Sequence, residues 1–360
     1  MGRGGTFLQM FNMGVRRNQL VQMFNMGERM NPITSVQHLV EEELYFKCST
    51  WGRGILAQEL SFPSDDLPGE TFIPPSYLRH LETLGDTYIP ANYVKWLESA
   101  GARVVPIRIK EPLEYYQKLF NSINGVLFPG GGVDILTSEF AKAAKIIYKL
   151  SLEANDKGDY FPLWGTCQGF ELLTALTTGQ NLLASADAEN LPLPLDFSKG
   201  YRHSRLFADV PKDIHNILST QNVTPNFHQF TLTPTNYSKS ADLKQFYRVL
   251  STNKDRKGLE FISTFEAYKY PIYGIQWHPE KNNYAWNPQY NVDHTADGIK
   301  VSQYFAEFFV SEARKSSHQF PSMEEEIDAL IDNFNPIFSK NHMFLENYYF
   351  NYTNTYLYYN

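Results

Sequence analysis

Hydrophobic and polar positions change their rhythm near residue 54. Before it, Gln9–Gly14 (QMFNMG) recurs as Gln22–Gly27 and no strong helical or strand period is visible. Two copies are too few for a repeat architecture, so residues 1–53 are expected to form an atypical, mobile segment. From Gly54 onward, short apolar runs alternate with helical periods, the pattern of βαβ units around a parallel sheet. Strands are predicted at 54–58, 103–109, 123–128 and 161–164. Later runs at 246–251, 260–264 and 272–277 have shorter connections and allow antiparallel pairs. In the stretch 88–100, Ile89, Tyr93, Trp96 and Leu97 fall on one helical stripe that Gly101 ends. Further helices are expected at 138–152, 168–178 and 301–313. The order fades after about residue 320, and the tyrosine- and asparagine-rich end reads as a loosely held extension. The expected fold is therefore α/β, a mostly parallel central sheet flanked by helices, with a catalytic domain at 54–320 and an extension at 321–360.

Composition narrows the chemistry. Hydrophobic residues make up 42% of the chain, enough for a large core. A formal charge of −7 without a long basic run argues against nucleic acid as a partner. No apolar stretch reaches the roughly 18 residues that a membrane span needs, and the first 30 residues lack the apolar core of a secretory signal. Two cysteines, Cys48 and Cys167, are too few for a disulfide framework or a Cys-rich zinc site, and no HExxH occurs among the nine histidines. No metal is expected.

The strongest chemical signal is Phe161–Glu171 (FPLWGTCQGFE), in which an apolar strand runs into G-x-C-x-G and then a helix. This is a nucleophile elbow with sulfur as the nucleophile. The helix N-terminus is expected to lower the Cys167 thiol pKa. A developing oxyanion needs two N–H donors. Gln168 supplies one, and Gly131, in the glycine-rich loop after the third strand, is the expected second. A base is best placed at His278, in Tyr273–Glu280 (YGIQWHPE), where Glu280 falls on the same side of an extended chain and can orient the imidazole. His228, between Phe227 and Gln229, is either a half-buried structural residue or a substrate contact. The local cations Lys281, Arg202, Lys269 and Lys95 are candidates to read an anionic substrate.

At these residues the chain resembles the γ-glutamyl hydrolase family, within the class I glutamine amidotransferase-like superfamily. The similar stretches are Tyr93–Pro106, Phe128–Gly131, Trp164–Cys167, Asn226–His228 and Gln276–Lys281. The resemblance implies hydrolysis of γ-glutamyl amide bonds in folate and antifolate poly-γ-glutamates, with Cys167, His278 and Glu280 as the triad. It implies no cofactor, a homodimer, and substrate positions at Tyr88 and His228. It also implies a lysosomal or extracellular location, from which the start of this chain departs. Sequons stand at Asn222, Asn236 and Asn351. Two other readings use the same residue types: a glutaminase-type amidotransferase subunit and a non-catalytic binding protein on this fold.

Overall fold

The computed structural model describes residues 84–339 and 345–351, together with the backbone of two short strands at 54–58 and 60–61. All of these belong to one compact unit, Gly52–Asn360. The segment 1–53 up to that first strand, and the end of the chain after Asn351, lie outside the described residues.

In chain order the strands are β1 (Gly54–Gln58), β2 (Leu60–Ser61), β3 (Thr87–Pro90), β4 (Arg103–Ile107), β5 (Gly125–Phe128), β6 (Leu163–Thr166) and β7 (Ala184–Leu193). They continue as β8 (Asp196–Phe197), β9 (Thr224–Thr231), β10 (Tyr247–Lys254), β11 (Glu260–Ala267), β12 (Ile272–Ile275), β13 (Ile337–Phe338) and β14 (Glu346–Phe350). The central sheet has the order β4-β1-β5-β6-β12-β11-β10-β8. Pairs from β4 through β12 are parallel, and β12-β11, β11-β10 and β10-β8 are antiparallel. The fold is thus α/β with a mixed, mostly parallel sheet, as the alternation of patterns predicts.

Both faces of the sheet are covered, which is why its central strands read as continuous apolar runs. On β6, Trp164 and Gly165 point to opposite faces. Trp164 packs on Trp96 of the helix Ala91–Ser99 and on Phe309 of the helix Ala296–Ala313, at ring distances of 5.7 and 5.5 Å. Gly165 lies against the helix Gln168–Thr178, beside which runs Glu139–Asp156. The stripe at 88–100 proves to be two elements: Thr87–Pro90 is β3, and the helix starts only at Ala91. Pro90 cannot donate a helical N–H and takes an extended conformation at the helix start.

The C-terminal region is more ordered than its pattern suggests. β14 pairs antiparallel with β3, placing Asn347 opposite Pro90, and Tyr348 and Phe350 are buried. A strand five residues long shows too little periodicity to be recognised by pattern. A two-stranded ribbon, β7 with β9, lies apart from the central sheet and bears on the site.

Candidate active site

Three neighbouring parallel strands, β5, β6 and β12, deliver the site from their carboxyl ends. The glycine loop at 129–132 follows β5, Cys167 follows β6, and His278 lies just beyond β12. Ligand sites of open parallel sheets are characteristically at this edge.

Cys167 occupies the junction itself, with φ 54° and ψ −112°. A non-glycine residue at positive φ is costly, by roughly 1–3 kcal/mol, and persists only where its surroundings hold it. Its N–H donates to the Ile275 carbonyl at 2.8 Å, fixing the turn to β12. The strained dihedral therefore falls on the cysteine, and the flanking glycines serve close packing. A Cβ on Gly169 would stand 2.0 Å from the Phe128 carbonyl oxygen, and one on Gly165 would meet the Gly169 carbonyl at 2.5 Å.

Cys167 is buried, and burial raises its thiol pKa well above the ordinary value, with Glu171 and Glu189 adding to the rise. The Lys281 ammonium and the Gln168 N–H oppose it. The helix N-terminus thus acts in the expected direction but is outweighed by desolvation, so the resting group is a thiol. Its Sγ lies 3.7 Å from the Phe227 carbonyl on β9, a suitable resting contact for a weak S–H donor.

His278 is buried and held from three sides. Its backbone N–H donates to Pro225 O at 2.9 Å. Its Nδ1 stands 2.7 Å from Glu280 Oε1 and 3.2 Å from the Tyr93 hydroxyl. With the proton on Nδ1 facing the carboxylate, the Nε2 lone pair is left to accept another. Burial lowers the His278 pKa, Glu280 raises it and Lys281 lowers it, leaving the net shift downward. A neutral imidazole results at neutral pH.

Tyr93 belongs to this constellation although its sequence position marks it only as a buried helical residue. Its oxygen accepts the Gly130 N–H at 2.9 Å, and its hydroxyl also bonds Glu280. A Cβ on Gly130 would lie 2.8 Å from that oxygen, 2.9 Å from His278 Cε1 and 3.1 Å from Cys167 Cβ. The His278 ring and the Cys167 side chain therefore close on the same small space, which only a glycine leaves open. Gly130 is the buried member of the loop with its N–H engaged, while Gly131 beside it is exposed.

The remaining expected residues lie nearby or elsewhere. His228 is buried on β9, with Nδ1 3.0 Å from Phe230 O and Nε2 3.2 Å from Asn226 Oδ1. Burial pushes its pKa down to about 3. The neutral ring has one N–H to donate, to either of these two acceptors, and both lie within the ribbon that passes Cys167. Tyr88 lies on β3, with its ring 6.4 Å from Tyr349. Of the four candidate cations, Lys95 pairs with Glu346, Lys269 with Asp156, and Arg202 lies over the Tyr201 ring. Only Lys281 reaches the site. It is fully buried, with Nζ 4.5 Å from the Phe227 ring centre, and it interacts electrostatically with Cys167, Glu280 and Glu189.

One further buried group has no counterpart among the residues expected from the sequence. Glu171, one helical turn after Cys167, accepts from Gln276 Nε2 at 3.0 Å, and burial lifts its pKa to about 8. Among the described residues no cluster of three or more His, Cys, Asp or Glu could hold a metal ion.

A buried cysteine at a strand-to-helix elbow, with a His–Glu pair on the adjoining strand end, is the arrangement of a cysteine-type hydrolase on an α/β sheet. The profile of the peptidase C26 family matches residues 76–280, more than half of the chain, and the chain belongs to that family. Gamma-glutamyl hydrolase of Homo sapiens is 49% identical over 226 residues, covering 63% of this chain and 71% of the human one. The Bos taurus enzyme of the same name is 45% identical over 288 residues, 80% of this chain and 85% of its own. Gamma-glutamyl hydrolase B of Dictyostelium discoideum is 42% identical over 239 residues, 66% of this chain and 69% of its own. Among solved structures, a glutamine amidotransferase from Thermotoga maritima aligns over 72% of this chain and 98% of its own, at 12% identity and a TM-score of 0.39.

Proposed function

We propose that the protein cleaves γ-glutamyl amide bonds of folate and antifolate poly-γ-glutamates, with Cys167 as nucleophile, His278 as base and Glu280 as its orienting partner. The observation that supports the mechanism is the buried Glu280–His278 pair, whose carboxylate faces Nδ1 and leaves Nε2 without a hydrogen-bond partner among the described residues, while Cys167 stands at a strained elbow. The bond type comes from the relatives, each named a gamma-glutamyl hydrolase.

Nε2 takes the Sγ proton as sulfur attacks the γ-carbonyl carbon. This ordering suits a thiol that burial keeps protonated until substrate arrives. The Gln168 N–H and the Gly131 N–H hold the developing oxyanion. Collapse of the tetrahedral intermediate expels the amine of the leaving glutamate, which takes its proton from His278. Water, deprotonated by the same imidazole, then hydrolyses the thioester and frees Cys167. Glu280 stabilises the imidazolium in both halves, and the Tyr93 hydroxyl ties that pair to the glycine loop.

The test is product analysis by mass spectrometry with a defined folate poly-γ-glutamate, alongside glutamine alone. Release of glutamate or a γ-glutamyl peptide from the folate, with little ammonia from glutamine, supports the reading. The opposite preference identifies a glutaminase.

We further propose that residues 54–320 form the catalytic domain, that the protein works as a homodimer, and that it resides in the lysosome or outside the cell. Asn222 and Asn351 are exposed, which suits glycosylation, whereas the Asn236 side-chain nitrogen donates to Leu182 O at 2.9 Å. A mobility shift on glycosidase treatment that survives Asn236→Gln but is lost when Asn222 and Asn351 are both replaced supports this assignment.

A further inference from the structure

A separate cleft, of about 200 Å³, is lined by none of the residues given a part in the chemistry above. One wall is the start of the helix Ala91–Ser99, where Asn92 and Lys95 flank the turn that carries Tyr93. The opposite wall, Tyr284–Asn287, begins one helical turn beyond Glu280. Both walls are therefore continuous with residues that hold His278. Phe338 and Glu346 of the C-terminal strands complete the rim.

The cleft presents large aromatic rings to solvent. Trp286 is 63% exposed and is stacked on one face by His294, at 3.9 Å between ring centres and 8° between planes. Phe338 is 61% exposed. Trp96, Trp164 and Trp277 are buried, so Trp286 alone among the described tryptophans displays its ring. Its Nε1 donates to Asn283 O at 3.2 Å, which helps hold the indole in place. Exposed aromatic surface held in a fixed orientation is costly to solvate and is characteristic of a ligand site. The Lys95–Glu346 ion pair and the Asn92 amide give the cleft a polar edge.

We propose that this cleft is a subsite for the aromatic head of the substrate, a two-ring heteroaromatic group that stacks on Trp286 and turns its polar edge toward Lys95 and Glu346. The inference rests on the function proposed above. A cleft of about 200 Å³ has room for a fused bicyclic ring. Stacking on an indole face tolerates variation in ring substituents, so folates and antifolates would be accepted alike. Cys167 would then act on the glutamate tail while the head is anchored beside it.

The test compares two substrates: pteroyl-di-γ-glutamate and γ-glutamyl-glutamate, which has no aromatic head. In Trp286→Ala, KM for the pteroyl substrate is expected to rise about tenfold with kcat within twofold, while neither constant changes for the headless dipeptide. Trp286→Phe, which keeps a ring, should restore most of the loss. An unchanged KM for the pteroyl substrate, or an equal rise for both, overturns the assignment. If wild-type protein cleaves neither compound, the proposed function fails, yet titration with pteroic acid still reports on the cleft. Quenching of tryptophan emission that is lost in Trp286→Phe supports the subsite, and quenching that persists unchanged in that variant, or none in wild type, contradicts it.

Discussion

The Tyr93 hydroxyl stands 3.2 Å from His278 Nδ1, the same nitrogen that faces Glu280 at 2.7 Å. Because this oxygen also accepts the Gly130 N–H, one phenol couples the His278 ring to the glycine loop proposed to hold the oxyanion. Tyr93→Phe keeps the ring and its packing but leaves the buried Gly130 N–H without this acceptor. Losing a buried hydrogen bond costs about 1–3 kcal/mol, so kcat/KM is expected to fall roughly ten- to a hundredfold, mainly in kcat. Unchanged steady-state kinetics would show that the phenol is a bystander.

Two glycines should separate folding from chemistry. Gly169→Ala forces a Cβ to within 2.0 Å of a backbone oxygen in β5, which cannot move without disturbing the sheet. A large fall in Tm or failure to fold is expected. Gly130→Ala meets mostly side chains, Tyr93 Oη and His278 Cε1 among them, so the protein should fold while activity drops at least a hundredfold. Thermal melts together with kinetics on both variants check the contrast.

Glu171 makes stability depend on pH. Its pKa is raised from an ordinary 4.5 to about 8 in the folded protein, chiefly by burial. The folded state therefore holds a proton that the unfolded chain has released. This contribution is fully present below pH 4.5 and is lost as pH climbs through about 8. Glu171→Gln, which cannot ionise, should flatten that decline, and the Tm difference between variant and wild type should shift in favour of the variant from pH 5 to 9. The ionised carboxylate also disfavours a thiolate at Cys167, so the alkaline limb of kcat/KM should be shallower in the variant. Parallel Tm curves would contradict the assignment.

His278 sets the acid side. Burial depresses its pKa below 6.5, and in the proposed mechanism the neutral ring is the active form, so kcat/KM should decline only once pH falls below about 6.5. Glu280→Gln removes the carboxylate that favours the imidazolium, and it should lower kcat less than His278→Ala does. The reverse order would mean that the histidine is not the base.

Much of this site was legible in the chain. G-x-C-x-G after an apolar run marks the strand-to-helix elbow, which falls at Cys167 between β6 and the helix Gln168–Thr178. The helix 168–178 follows the predicted bounds, whereas the strand expected to reach Trp277 ends at Ile275 and Glu280 takes an αR conformation, so His278 meets Glu280 across a turn rather than along an extended chain. Tyr93 and Glu171 were not legible, because each looks like an ordinary helical position until tertiary packing shows what its polar atom meets. The ribbon of β7 and β9 was hidden for another reason: Ala184–Leu193 carries few β-branched or aromatic residues, so only its pairing makes it a strand. The thiol pKa also escaped the sequence, since the helix N-terminus could be foreseen but the degree of burial could not.

The central claim is that sulfur of Cys167 forms a covalent acyl intermediate. It is tested most directly by acid-quenching the enzyme during turnover of pteroyl-di-γ-glutamate and locating the adduct by peptide mass spectrometry, with Cys167→Ala assayed in parallel. The account predicts a pteroylglutamyl thioester on the Cys167 peptide and less than about 1% of wild-type activity in the folded alanine variant. A folded Cys167→Ala protein that retains substantial hydrolysis, with no adduct on the wild-type peptide, would contradict it.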